Sequence, residues 1–331
     1  MVKKGAGSLS ALFNASGTAT ITIWDGTEVA VAAVGTITSS GACAPGDYAV
    51  GTLTSDATAP SDGETVTVGA TGGTQIIYRY KTTPIAINDV AIGASAAIAL
   101  ANLKKAINGT GLGDGTDYFA GTVPSPDIIA STLTTTTILV AFRVIGTGGN
   151  AYTTTETSAH LSWGGGTLAG GVTIAAATVT IGTTVYTLVK NLAETFGLTA
   201  IPYQVLWVTN EATAIVNLKK AINGSGNAGT NYATGTNKHP KVIGTTITAT
   251  TLVVQALVWG VSGNAIATTT TLANYAWGGA ILASGSGPDA TIMANAFVAV
   301  AATTYQFNQM AFARGLYVQL STTGDVSAIY D

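Results

Sequence analysis

Asn102-Leu-Lys-Lys-Ala-Ile-Asn-Gly109 returns as Asn217-Leu-Lys-Lys-Ala-Ile-Asn-Gly224, and this octapeptide, read twice, sets the organisation of the chain. Four further matches surround it in the same order. Thr65-Val-Thr-Val-Gly69 pairs with Thr178-Val-Thr-Ile-Gly182, and Gly115-Thr-Asp-Tyr118 with Gly229-Thr-Asn-Tyr232. Gly149-Asn-Ala151 pairs with Gly263-Asn-Ala265, and Trp163-Gly-Gly165 with Trp277-Gly-Gly279. The offset stays between 113 and 115, so the middle of the chain is one module written twice.

Each copy carries the same succession of patterns. Two short β-branched segments open it, at 65–68 and 75–80 in the first copy and at 178–181 and 185–189 in the second. Apolar residues then fall at helical spacing: Leu100, Leu103 and Ile107, and again Ile215, Leu218 and Ile222. Ser95 and Asn210 stand where N-caps belong, and Gly109 and Gly224 where a left-handed residue ends a helix. Two more strands are expected at 127–133 and 138–145, and at 242–249 and 252–259, before Trp-Gly-Gly closes the copy. The predicted unit is ββαββ, with one helix laid on a small sheet.

Residues before about 60 and after about 288 lie outside the repeat. Thr18-Ala-Thr-Ile-Thr-Ile-Trp24 alternates into the turn signal Asp25-Gly26, and 30–38 and 48–53 read as further strands. At the other end, 304–308, Gly315-Leu-Tyr-Val-Gln-Leu320 and Val326-Ser-Ala-Ile-Tyr330 alternate again. Neither end alone supplies enough strands for a stable sandwich. The expected fold is mainly β with α+β repeats. Residues 1–60 and 288–331 form a discontinuous β-sandwich frame, and two tandem ββαββ modules, 62–172 and 174–286, are inserted in it. The linkers would lie at 56–63 and 284–288, both rich in Gly, Ser, Pro and Asp.

Composition narrows the function classes. Of 331 residues, 47% are apolar and 9% charged, against about 25% charged in an ordinary domain. Thr, Ala, Gly and Ser replace Lys and Glu, which gives a neutral, hydroxyl-rich surface that suits a protein packed among neighbours in an assembly, with a secreted adhesive module as the alternative. The net charge is −3 and the only basic clusters are Lys3-Lys4 and the two Lys-Lys pairs of the octapeptides, so no nucleic-acid partner is expected. Cys43 is the single cysteine, which excludes an intrachain disulfide and points to a small buried side chain. The longest apolar runs, such as 293–302, are too short to span a membrane, and no membrane partner is expected. Met1-Val2-Lys3-Lys4 leads into no solid apolar core, so no signal peptide is read and synthesis in the cytoplasm is expected.

No residue is assigned as catalytic, cofactor-binding or metal-binding, and an enzyme is not expected. His160 and His239 occupy different places in the two copies, whereas a duplicated active site would repeat its base. Gly109-Thr-Gly-Leu-Gly-Asp-Gly115 follows a helix, while a dinucleotide loop follows a strand; Gly146-Thr-Gly-Gly-Asn150 lacks the Lys-Ser/Thr of a phosphate loop. Both read as turns. Asp114, Asp117 and Asp127 are too loosely spaced for a calcium loop. Lys104-Lys105 and Lys219-Lys220 read as the solvated face of each helix, with contact to an acidic neighbour as the alternative. Trp163 and Trp277 read as core anchors, with stacking on a sugar as the alternative.

Gly7-Ser-Leu, Thr20-Ile-Thr-Ile-Trp-Asp-Gly26, Phe312-Ala-Arg-Gly-Leu-Tyr-Val and Gly324-Asp-Val-Ser-Ala-Ile-Tyr330 give the frame its resemblance to small β-sandwich virion proteins of tailed bacteriophages. The modules, through the second octapeptide, Gly263-Asn-Ala-Ile-Ala-Thr-Thr-Thr270 and Trp277-Gly-Gly279, resemble Thr/Ala/Gly-rich modules of phage structural proteins. The first copy departs at Gly149-Asn-Ala-Tyr-Thr-Thr-Thr-Glu156. The resemblance implies a virion-surface structural protein, a capsid decoration or head-fibre component bound to the major capsid protein, with a homo-trimer as the expected assembly. A tail or fibre component, or a carbohydrate-binding adhesin for a host-surface glycan, are the alternatives. In that setting the Asn14, Asn108 and Asn223 glycosylation sequons carry no meaning.

Overall fold

The computed structural model describes residues 2–4, 7–14, 19–25, 30–70, 75–208, 210–287, 289, 291–299, 303–312, 315–320 and 326–330; in the terminal strands the description is of the backbone. The chain is mainly β, with six sheets among the described residues. It opens with β1 (Val2–Lys4), β2 (Gly7–Asn14), β3 (Ala19–Asp25), β4 (Val34–Ser39) and β5 (Val50–Ser55). The first copy continues with β6 (Thr65–Ala70), β7 (Gln75–Lys81), β8 (Asp89–Ala91), helix α1 (Ala96–Asn108), β9 (Ile128–Leu133), β10 (Thr137–Phe142), β11 (Tyr152–Glu156) and β12 (Leu161–Trp163). The second repeats this as β13 (Thr178–Ile181), β14 (Thr184–Val189), β15 (Gln204–Leu206), α2 (Glu211–Asn223), β16 (Val242–Ile247), β17 (Thr251–Ala256), β18 (Thr268–Thr270) and β19 (Tyr275–Trp277). The chain closes with β20 (Thr291–Ala299), β21 (Thr303–Phe312), β22 (Gly315–Leu320) and β23 (Val326–Tyr330).

Strands from the two chain ends share both terminal sheets, ordered β1-β22-β3-β20 and β21-β2-β23. Each copy builds two four-stranded sheets: β12-β5-β10-β9 and β11-β6-β7-β8 in the first, β19-β4-β17-β16 and β18-β13-β14-β15 in the second. The ββαββ pattern is thus the centre of a larger unit. It gains a short parallel strand before the helix and two short strands after it, all three residues or five long and too brief for a periodicity to register.

β4 and β5 correct the expected boundaries. Assigned to the frame from sequence, they instead complete the module sheets. β5 pairs with β10 and β12, and β4 pairs with β17 and β19. The two strands carry almost one sequence, Val34-Gly-Thr-Ile-Thr-Ser39 and Val50-Gly-Thr-Leu-Thr-Ser55, which differ only at Ile37 and Leu53. The glycine of each is required by close approach. A β-carbon at Gly35 would sit 2.5 Å from Leu282 Cδ2 and 3.6 Å from the Trp277 ring; at Gly51, 2.7 Å from Leu168 Cδ2 and 3.7 Å from the Trp163 ring. Only a residue without a side chain lets Trp and Leu close over the strand.

The modules are therefore nested. Module two comprises 30–46 and 173–287, and module one, 47–172, is inserted inside it. Each joins its surroundings through a two-strand neck. Asp47 and Val172 exchange both backbone hydrogen bonds at 3.0 Å, and Val31 and Ser286 do the same at 2.9 and 3.2 Å. Asn150 clamps the first neck through the N–H and C=O of Gly171, and Asn264 clamps the second through those of Gly285. That assigns the repeated Gly-Asn-Ala motif its task.

Each module has its own core. In module one Leu53, Val66, Tyr78, Tyr80, Leu100, Leu103, Ile107, Ile138 and Val140 are buried together. In module two Ile37, Val179, Tyr186, Leu188, Ile215, Leu218, Ile222, Leu252 and Val254 take the same places. The helix caps form as the sequence predicts. Ser95 Oγ accepts from the Ile98 N–H and Asn210 Oδ1 from the Thr213 N–H, while Gly109 and Gly224 end their helices at φ 66° and 61°.

Candidate functional site

The octapeptide fastens the helix across the edges of both module sheets. Asn102 Nδ2 donates to the Ala91 carbonyl of edge strand β8 at 3.0 Å, and Asn217 Nδ2 to Leu206 of β15 at 2.8 Å. Asn108 binds both backbone groups of Ala130 on edge strand β9, and Asn223 both of Gly244 on β16. Lys104 Nζ donates to the Ser131 carbonyl, and Lys219 Nζ to Thr245 at 2.5 Å. Unpaired groups on a sheet edge invite pairing with other strands; these side chains occupy them. Lys105 forms an ion pair with Asp117 at 2.6 Å. Asn231 replaces that carboxylate in module two and accepts the Asn227 N–H, and Lys220 has no ion-pair partner among the described residues. Lys104, Lys105 and Lys219 thus reach partners in their own module from a half-exposed helix face, which Lys220 shares.

The histidines serve turns. His239 is buried, its Nδ1 accepting the N–H groups of Lys241 and Val242 and its Nε2 donating to the Ile181 carbonyl at 3.1 Å. Burial holds its pKa below the ordinary value of 6.5. In module one the equivalent place is Ser125, whose Oγ accepts the Ile128 N–H. His160 Nδ1 lies 2.9 Å from Asp56 Oδ2 at the surface, and this hydrogen bond draws the Asp56 carboxyl below its usual range. The tryptophans keep matching bonds, Trp163 Nε1 to the Thr155 carbonyl at 3.2 Å and Trp277 Nε1 to Thr269 at 3.1 Å. Gly109, Gly111 and Gly115 all adopt positive φ, as turns require. Asp114 accepts from Thr116, Asp117 from Leu112, and Asp127 from the Tyr152 hydroxyl, so the three do not converge. Among the described residues no group of three or more His, Cys, Asp or Glu could hold a metal ion. Cys43 is buried and its thiol pushed up to about 11 by desolvation. No helix among the described residues is long and apolar enough to cross a membrane. The Asn14 side chain lies outside the described part of the structure.

What remains is a surface for contact. Module two docks on module one through the turn Ala193–Phe196. Ala193 and Phe196 are buried against Tyr48, Ile129 and Ala141, with Val50, Leu139, Ile145 and Leu198 around them. The Phe196 ring meets Tyr48 edge-on at 5.2 Å. Asp47 binds Asn191 at 3.1 Å and Lys190 at 3.6 Å on the rim. Sequence reading missed this site, because the loop 190–203 falls between two recognised patterns and carries no repeat signal of its own.

The loop that corresponds to it in module one, 82–88, hangs on Asp89. This buried carboxylate accepts the N–H groups of Ile85 and Ala86 and pairs with Arg79 at 2.7 Å. Burial alone would raise its pKa, but these partners outweigh burial and hold it below 3.8. A carboxyl depressed in the folded state stabilises above its unfolded pKa and loses that contribution as pH falls through the folded one. The amides of Ile85 and Ala86 are therefore expected to lose exchange protection below the ordinary aspartate range. Ala193, held by the neutral Gln204 Oε1, should keep it. Hydrogen exchange by NMR across that range checks the contrast.

No protein-family model matches this chain, and neither a curated protein nor a solved structure matches it significantly.

Proposed function

We propose that this protein is a non-enzymatic structural component of a tailed-bacteriophage virion. In this reading it is a capsid decoration or head-fibre protein, attached by the frame of its two chain ends and carrying the nested modules outward. The observation that carries this reading is where the repeated polar residues go. Asn102, Lys104, Asn108, Asn150 and Trp163, with their partners in module two, are all bound to backbone groups of their own module. Most residues kept in both copies thus serve folding; the exception is the Lys105/Lys220 position, ion-paired to Asp117 in module one and without an ion-pair partner in module two among the described residues. Two-strand necks suit modules that add reach without entering the attachment surface. Binding only the assembled particle would stabilise it by mass action.

The test removes the modules at their true boundaries. A chain lacking 30–287, its ends joined by a short linker, is expected to bind purified particles as the full chain does. Residues 30–287 alone should not bind. Binding confined to the module fragment would reject the frame as anchor, and particles without density for this chain would reject the virion reading.

A further inference from the structure

Module two seats a plug in a socket on module one, and the strands of the socket and the loop position of the plug recur in the other module, with Ala32 where the socket has Tyr48 and no counterpart of Phe196. The internal contact joins the module-two plug to the module-one socket. One socket and one plug are left over.

The spare socket is on module two. Strands β4, β16 and β17 stand where β5, β9 and β10 stand in module one, so Val34, Ile243 and Val253 take the places of Val50, Ile129 and Leu139. Ile129, under the plug, is 8% exposed; Ile243 is 39% exposed. Val34 and Leu257 are exposed beside it. The spare plug is the loop 82–88. It joins the second strand of its sheet to the short parallel third strand, as 190–203 does in module two. Asp89 gathers its N–H groups as Gln204 gathers that of Ala193. Its tip presents Ile85 and Ile87, 70% and 60% exposed. Apolar side chains grouped in this way mark contact surfaces.

We propose that a second copy of this chain fills the spare socket, its 82–88 loop docking on the Val34–Ile243–Leu257 face of module two. The occupant follows from continuity with the internal interface: the same chain already shows this plug position seated on this socket position. Such a contact is heterologous, one patch meeting a different patch, so it generates a ring where the rotation closes and a filament where it does not. The loop is shorter than its counterpart, and Gln255 stands where module one has Ala141. The contact between copies is accordingly weaker than the internal one and depends on concentration. It stands independently of the virion reading.

Sedimentation velocity on the full chain over a range of concentrations is expected to show reversible association. Ile87→Asp on the plug and Ile243→Asp on the socket should each weaken it about tenfold or more, since a charge at the centre of a small apolar contact is left unpaired. Leu257→Lys, on the exposed rim, replaces Ile243→Asp if circular dichroism shows that variant unfolded. Mixing is the decisive step. A chain with Ile87→Cys and another with Ile243→Cys, combined under mild oxidation, should form a disulfide-linked pair that neither forms alone, because the native Cys43 is buried. A chain that stays monomeric, association indifferent to the plug and socket variants, or the lack of that mixed disulfide would each overturn the proposal.

Discussion

Replacing residues 47–172 with a short Gly-Ser linker is expected to leave module two folded, whereas deleting 30–42 is expected to unfold module two and spare module one. The asymmetry follows from nesting. Module one leaves and re-enters module two at one place: Asp47 and Val172 are paired, and a β-carbon on Gly46 would lie 3.5 Å from Ile174 Cα. Excision therefore demands a link of only a few residues, and short loop closure costs little entropy. Gly46 keeps its bonds to Leu188 on β14 and to Lys190 just after it. Deleting 30–42 removes β4, which lies between β17 and β19, and with it Ala33 and Ile37 from the module-two core. Loss of an inner strand strips both neighbours of their backbone partners, a cost beyond what a marginally stable domain can absorb. Hydrogen exchange with mass spectrometry reads both outcomes. Protection of 251–256 should persist in the excised chain and collapse in the deleted one, with 137–142 protected in the latter. Protected 251–256 after deletion of β4 would refute the nested topology.

Leu218→Ala is expected to cost about 2–5 kcal/mol, felt in module two. Leu218 is fully buried between α2 and the sheet strands, and its truncation removes apolar contact and leaves a cavity that a close-packed interior fills only in part. Val216, exposed on the same helix, is the control: Val216→Ala should change stability by no more than about 0.5 kcal/mol. Leu103→Ala should act on module one as Leu218→Ala acts on module two, because the two cores are separate clusters that touch through small contacts around Phe196 and Ile145. Urea unfolding followed by exchange in each module separates the two effects. Equal loss of protection in both modules from either variant would mean that they unfold as one cooperative unit.

Much of each module was legible from sequence. The helices run from Ser95 to Gly109 and from Asn210 to Gly224 as their caps and spacing predict, and the strand pairs flanking them fall within a few residues of the expected positions. Caps, turns and amphipathic spacing act over four or five residues, so a linear reading captures them. The contact surface was less legible. Ile85 and Ile87 lie in a loop whose exposure depends on what packs over it, and Phe196 lies in a segment that only one copy contains. The octapeptide was visible as a marker, but the tasks of Asn102 and Asn108 were not, since their partners lie 11 and 22 residues away on two different strands.

By itself, then, the sequence determined that one module is written twice and where each helix and most strands begin and end, because those are local decisions between near neighbours. The tertiary structure alone decided which strand completes which sheet. Val34-Gly-Thr-Ile-Thr-Ser39 and Val50-Gly-Thr-Leu-Thr-Ser55 lie 16 residues apart and not at the 113–115 of the repeat, so no periodicity ties them to their modules. Backbone pairing is nearly blind to side-chain identity, and two almost identical strands fit either sheet equally well. The selection comes from the return paths of the chain, which bring Val172 back to Asp47 and Ser286 back to Val31, and from the Trp and Leu that close over each glycine once it is there.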